Sequence, residues 1–183
     1  VRIAQPYVPV VLPWQGSRDS FETKSPIELV PLVEQCVKIE GPIHQDRVIR
    51  AVVASFGIGR AGSRVRARVL SAIDAAVKNG SAELWESFLY TSGTGDPPVR
   101  ESGGRAIHEI PPDEIVGCIT AFLGIAFSIS RDDLVIAVAR EFGFDRTGSH
   151  VAARIRALID WMIAEGHVVD VGGQTRLKSA SPQ

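Results

Sequence analysis

The chain has 183 residues, 45% hydrophobic and 22% charged, with 20 Lys or Arg against 21 Asp or Glu for a formal net charge of -1. This length fits one domain or two small ones and lets roughly 70% of the unfolded surface be buried, so wholesale disorder is excluded. Near-neutral charge excludes a uniformly basic nucleic-acid-coating protein, and no apolar run approaches the roughly 20 residues of a membrane span.

The opening VRIAQPYVPVVLPW starts at Val1, carries Pro6, Pro9 and Pro13, and lacks the basic start and cleavage site of a signal peptide. Residues 1–24 are therefore expected to form an extended arm, at the start of what reads as a piece of a longer polypeptide. From Pro26, SPIELVPLVEQCVKIEG places Ile27, Val30 and Val33, or Ile27, Leu29, Leu32, Val33, Cys36 and Val37, on one broad helical face, and Gly41-Pro42 stops it. A short extended element at Ile43 precedes a second helix with Val48, Ile49, Val52, Val53 and Phe56 inward. Gly57 suits the left-handed conformation at its C-terminus. In the third helix Val65, Val69, Ala72, Ile73, Ala76 and Val77 form a buried stripe that ends at Asn79-Gly80. Its start is open between Gly59 and Ser63 as caps. SAELWESFLY then reads as two short strands about a turn near Glu86-Ser87.

The first unit so defined runs over residues 25–91. TSGTGDPPVRESGGR is rich in Gly, Ser, Thr and Pro and places a linker at 92–110. A second unit, 111–178, opens at Pro111-Pro112, with an extended element at Ile129. A helix follows, carrying Leu134, Val135, Val138, Ala139 and Phe142. Gly143 closes it, a third helix starts at Asp145 or Ser149, and HVVDVGGQTRL forms a hairpin about Gly172-Gly173. Residues 179–183 are expected to fray.

Sliding the chain by 86 residues pairs Glu28 with Glu114, Asp46 with Asp132, Phe56-Gly57 with Phe142-Gly143, Arg60 with Arg146, Gly62-Ser63 with Gly148-Ser149, and Arg68 with Arg154, without a gap. The expectation is an α+β fold, mainly α with small β-hairpin wings. Helix, short strand, helix, helix, hairpin, occurring twice, is the order of tandem duplicated winged-helix (helix-turn-helix) units.

The strings IEGPIHQDRVIRAVVASFGIGRAGSRVRARV, IPPDEI and REFGFDRTGSHVAARI resemble a domain of unknown function at the C-terminal end of large bacterial proteins similar to superfamily-one DNA helicases. The resemblance covers about Pro26 to Leu177, and its more specific parts are Glu-Gly-Pro-Ile-His and Arg-x-Gly-Ser. It implies upstream helicase or nuclease domains in the same polypeptide as partners, and it supplies no catalytic residue. The chain itself has no Gly-rich Lys-Ser/Thr phosphate loop.

RAGSRVRAR, Arg60 to Arg68, opens the third helix of the first unit, where a helix-turn-helix meets base edges and phosphates. Arg60, Ser63, Arg64 and Arg66 are the candidate nucleic-acid-binding residues, since arginine pairs bidentately with guanine or phosphate. From Ile43 to Gly80 there are seven Lys or Arg against two Asp or Glu; from Ile129 to Gly166, five against six. DNA binding is thus expected mainly through the first unit, with the second turned to protein. Arg68 and Arg154 lie beside the buried stripe and are expected to make intradomain ion pairs or cap carbonyls. Gly62 and Gly148 are expected to admit a close approach, by the backbone of the second helix or by a phosphate lying against the helix N-terminus. Trp85, Phe88 and Tyr90 read as core more than as base-stacking groups, and Trp161 and Met162 as core or interface.

Cys36 and Cys118 read as small buried hydrophobes rather than a disulfide, in a cytoplasmic protein. The four histidines share no ligand spacing with a cysteine, so no metal site, cofactor or catalytic constellation is expected. The functional expectation is a non-catalytic, DNA-binding accessory module of a helicase-like or nuclease-like protein. The alternative is a protein-interaction or structural module without nucleic-acid contact.

Overall fold

The computed structural model describes residues 2–93 and 95–178, so the frayed tail expected at 179–183 lies outside the described residues. The fold is mixed α+β and divides into two compact units. One comprises Val8–Gly95, called here the first unit; the second comprises Asp96–Gln183 together with Val1–Tyr7.

The first unit opens with an arm and a short helix, α1 (Arg18–Thr23), followed by α2 (Pro26–Glu40), β1 (Ile43–His44), α3 (Gln45–Ala54), α4 (Ser63–Lys78), β2 (Glu83–Trp85) and β3 (Phe88–Tyr90). Residues 18–23 thus depart from the extended arm expected over 1–24. Ser17 caps α1 through its side chain, Phe21 is fully buried, and the Phe21 ring meets Phe56 edge to face at 5.3 Å. One buried aromatic, anchored from both ends, outweighs the weak propensity of six residues to form a helix alone.

α2 begins with a capping box: the Glu28 amide donates to the Ser25 side chain, and the Ser25 amide donates to the Glu28 carboxylate. Its apolar face, Leu29, Val33 and Cys36, is fully buried against α4, which contributes Val69, Ala72 and Ala76, whereas Ile27, expected on that face, is 71% exposed in the first turn. The three strands form an antiparallel sheet in the order β1-β3-β2, with Ile43 opposite Leu89 and Leu84 opposite Leu89 on the other edge. β3 is the inner strand and buries Phe88 and Leu89, whereas every residue of β2 is exposed.

In the second unit α5 (Pro112–Ala126), β4 (Ile129–Ser130), α6 (Arg131–Glu141), α7 (Ser149–Ala164), β5 (Val168–Val171) and β6 (Gln174–Leu177) follow in the same order. α5, β4, α6 and α7 each start 86 residues after α2, β1, α3 and α4. The sheet order β4-β6-β5 again puts the last strand in the middle, with Ile129 opposite Thr175. The core gathers Ile115, Ile119, Leu134, Val138, Phe142, Ile155 and Ile159.

Residues 92–110, expected as a linker, are partly built into this unit. Ile107 opens a 3-10 turn, Ile107–Glu109, and is buried, as is Ile110 immediately after it. Glu114, fully buried, accepts from the Arg100 and Arg105 guanidiniums, and Arg105 lies 4.1 Å over the Tyr7 ring. Gln5 donates to the Val99 carbonyl and accepts from the Glu101 amide, so residues up to Tyr7 pack here and not with the arm that follows them. A buried carboxylate needs such partners, and the strap supplies both.

Candidate nucleic-acid interface

The site is the N-terminal end of α4 with the loop before it and the outer side of α3. α3 ends because Gly57 adopts φ 69, a left-handed conformation, and the Gly57 and Ile58 amides close on the Ala54 and Val53 carbonyls. Ile58 is buried and anchors the loop, which leaves Gly59 and Arg60 exposed. α4 starts at Ser63 with Gly62 as cap, neither of the caps expected at Gly59 or Ser63. Gly62 supplies no side-chain cap bond, and the first turn has no acidic residue. The amides and dipole at this helix start are therefore uncompensated by side chains, an arrangement that favours an anion.

A close backbone approach does not explain Gly62 or Gly148. A Cβ at either would meet nothing within 4 Å, and their φ values are -72 and -62. An open helix start, rather than crowding, is what the two glycines share.

Arg60, Ser63 and Arg64 are exposed, and among the described residues no ion pair or side-chain hydrogen bond engages Arg60 or Arg64. Arg66 is different. Its Nη2 donates to Asp46 Oδ1 at 2.5 Å, with the arginine side chain 42% and the aspartate 30% exposed. Arg60 and Arg66 line a groove of about 390 Å³ floored by Ile49, Val53 and Ile58. Ser63 and Arg64 are not part of its lining. Arg50, on α3, lines the same groove and escaped the sequence reading. The available signal was its place outside the apolar positions Ile49, Val52 and Val53 of that helix.

Much of the positive charge counted between Ile43 and Gly80 is consumed inside the unit. Arg47 Nε pairs with the buried Glu40 carboxylate at 2.5 Å. Arg68 Nη1 donates to the Phe21, Glu22 and Lys24 carbonyls, capping the end of α1 as expected of a carbonyl-capping arginine. Arg154, its counterpart, does not repeat this: its Nε is buried without a hydrogen-bond partner in the structure.

In the second unit Arg146, Ser149 and His150 are exposed, but the place of Arg66 is taken by Ala152, which joins the core. Asp132 pairs with Arg156 and Asp160 with Arg131. Of the wing aromatics, Phe88 is core and lies edge-on to His44, Tyr90 is half-buried, and Trp85 is 56% exposed. Met162 is buried, while Trp161 is 47% exposed beside His167. Cys36 and Cys118 are free and buried; burial pushes both thiols up to about 12. No helix among the described residues is long and apolar enough to cross a membrane.

No curated protein and no solved structure matches the chain. Residues 19–67, from α1 to the first turn of α4, match the sequence model of a family described as "Protein of unknown function (DUF3320)".

Proposed function

We propose that the chain is a non-catalytic module of two winged-helix units that binds duplex DNA through the first, as the cytoplasmic, C-terminal accessory part of a helicase-like or nuclease-like protein. The observation that carries the reading is the open start of α4. Two arginines, Arg60 and Arg64, stand there exposed and unpaired beside uncapped helix amides. Each unit also supports the winged-helix reading by its order of elements, with a hairpin beside the third helix. The link to a helicase-like parent rests on the sequence resemblance alone.

The charge arithmetic sets the expected strength. Arg66 and Arg68 are engaged within the unit, so the helix start offers two arginines rather than four. Each phosphate neutralised adds about 0.9 to the salt slope. Arg60→Gln/Arg64→Gln is expected to flatten the slope of log affinity against log salt by about 1.8 while circular dichroism stays unchanged. No binding of the full chain to duplex or forked DNA at about 50 mM salt, where phosphate contacts are strongest, would sink the reading.

A protein-interaction module is the second reading, favoured by the second unit. There Ile125, Phe127 and Val171 are more than half exposed, and Asp132 and Asp160 stand on the surface. Loss of assembly without loss of DNA binding in variants of these apolar residues would assign that unit to a protein partner.

A further inference from the structure

We propose that Asp46 masks Arg66, holding its guanidinium out of phosphate contact and so setting how tightly and how non-specifically the α4 face grips DNA. The inference rests on the DNA-binding reading above and adds a residue to it whose effect has the opposite sign to that of the arginines.

Asp46 sits in the first turn of α3, where the positive end of the helix dipole favours a carboxylate, and its amide donates to His44 Nδ1 at 3.2 Å. The short Asp46 side chain thus projects from a helix start that favours its charge, while Arg66 is the longer partner. Arg66 reaches Asp46 from the first turn of α4 across the groove that Arg60 also lines. A phosphate approaching this groove meets Arg66 already neutralised, with a negative charge directly behind it. Arg60 and Arg64 carry no such burden.

The second unit provides an independent instance. Asp132 stands at the matching place in α6, and α7 has no arginine at the position of Arg66, yet Asp132 still engages an arginine of that helix, Arg156. Holding a third-helix arginine is thus a property of this aspartate in both settings.

The full chain is titrated with a fluorescein-labelled duplex of mixed sequence between about 50 and about 200 mM salt. Asp46→Asn keeps the side-chain shape and releases Arg66. It is expected to bind tighter and to steepen the salt slope by about 0.9, which makes the loss of affinity across that range about threefold larger. Arg66→Gln alone is expected to keep the wild-type salt slope while weakening binding, because Asp46 is left unpaired in the groove. Asp46→Asn/Arg66→Gln is expected to return to the wild-type slope, and Asp74→Asn, the same charge change placed on α4 instead of α3, to leave it unmoved.

Masking is overturned if Arg66→Gln flattens the wild-type slope by about 0.9, or if the Asp46→Asn gain survives in the double variant. Should Asp46→Asn fail to fold, Arg66→Gln alone still decides. Wild type binding with no response to Asp46→Asn overturns masking and leaves the DNA-binding reading standing. Silence from wild type overturns the DNA-binding reading and masking with it, whatever Asp46→Asn does.

Discussion

Arg68 and Arg154 hold the same place in the repeated frame Arg-x-Gly-Ser-x-Val-x-Ala-Arg, and their surroundings give them different energies. Arg68 satisfies three carbonyls at the end of α1 and lies 5.7 Å from the Phe21 ring centroid. Removing it leaves the Glu22 and Lys24 carbonyls short of that donor, while the Phe21 carbonyl keeps the Lys24 amide. Arg68→Ala is expected to lower unfolding stability by about 1.5–3 kcal/mol in urea titrations, the range for hydrogen bonds to a charged donor. Arg154→Met is expected to cost less than about 1 kcal/mol, because the native Nε has no bond to lose. Equal losses at the two sites would refute the capping account. Glu28 and Glu114 diverge in the same manner. Glu28 is an exposed capping-box acid whose carboxyl is held below its ordinary value by the Ser25 backbone and side chain, whereas Glu114 is fully buried between two arginines. The sequence pairs them correctly, but a match of residue type does not reveal which neighbour will close over a side chain.

At the scale of elements, the helices were legible because their apolar positions recur at helical spacing and end at Gly41, Gly57 and Gly80. α1 was not, since six residues carry too little periodicity and its stability comes from Phe21 and from Arg68, 47 positions away from it. The strap over 96–110 was hidden for a similar reason: Gly, Ser and Pro read as a linker, while Arg100 and Arg105 tie it to Glu114. The first hairpin sorts its residues by register. Leu89 is on the inner strand and fully buried; Trp85, on the outer strand, is 56% exposed. Leu89→Ala is expected to cost about 2–5 kcal/mol and Trp85→Ala at most about 0.5 kcal/mol, read by thermal unfolding. A large loss at Trp85 would mean that the outer strand packs more than its exposure indicates.

Across the whole molecule, each unit has its own apolar core with one cysteine fully buried in it, Cys36 in one and Cys118 in the other. Desolvation is the main cause of their raised thiols, from 9.0 to about 12, helped by Glu40 and Glu141. Below pH 9 the thiols are neutral in both folded and unfolded chains and cost nothing. Between pH 9 and about 12 only the unfolded chain ionises, so stability falls, by up to about 1.4 kcal/mol per pH unit for each thiol. Cys36→Ala/Cys118→Ala is expected to flatten the alkaline slope of the unfolding midpoint, and an unchanged slope would assign it to other groups. The net charge of -1 has a molecular consequence too. Any grip on a polyanion must come from a local face, and it weakens steeply with salt.

The sequence by itself determined the helix order, the 86-residue recurrence of the elements, the burial of both cysteines and the exposure of Arg60 and Arg64 at a helix start. These follow from local periodicity, glycine punctuation and residue type, which a linear pattern carries. Only the tertiary structure decided that Arg66 is held by Asp46, that Arg68 caps a distant helix while Arg154 caps none among the described residues, and that residues 2–7 pack with the second unit. Those outcomes depend on which charges and carbonyls meet across tens of residues, and the strength of each contact is set by the water excluded around it.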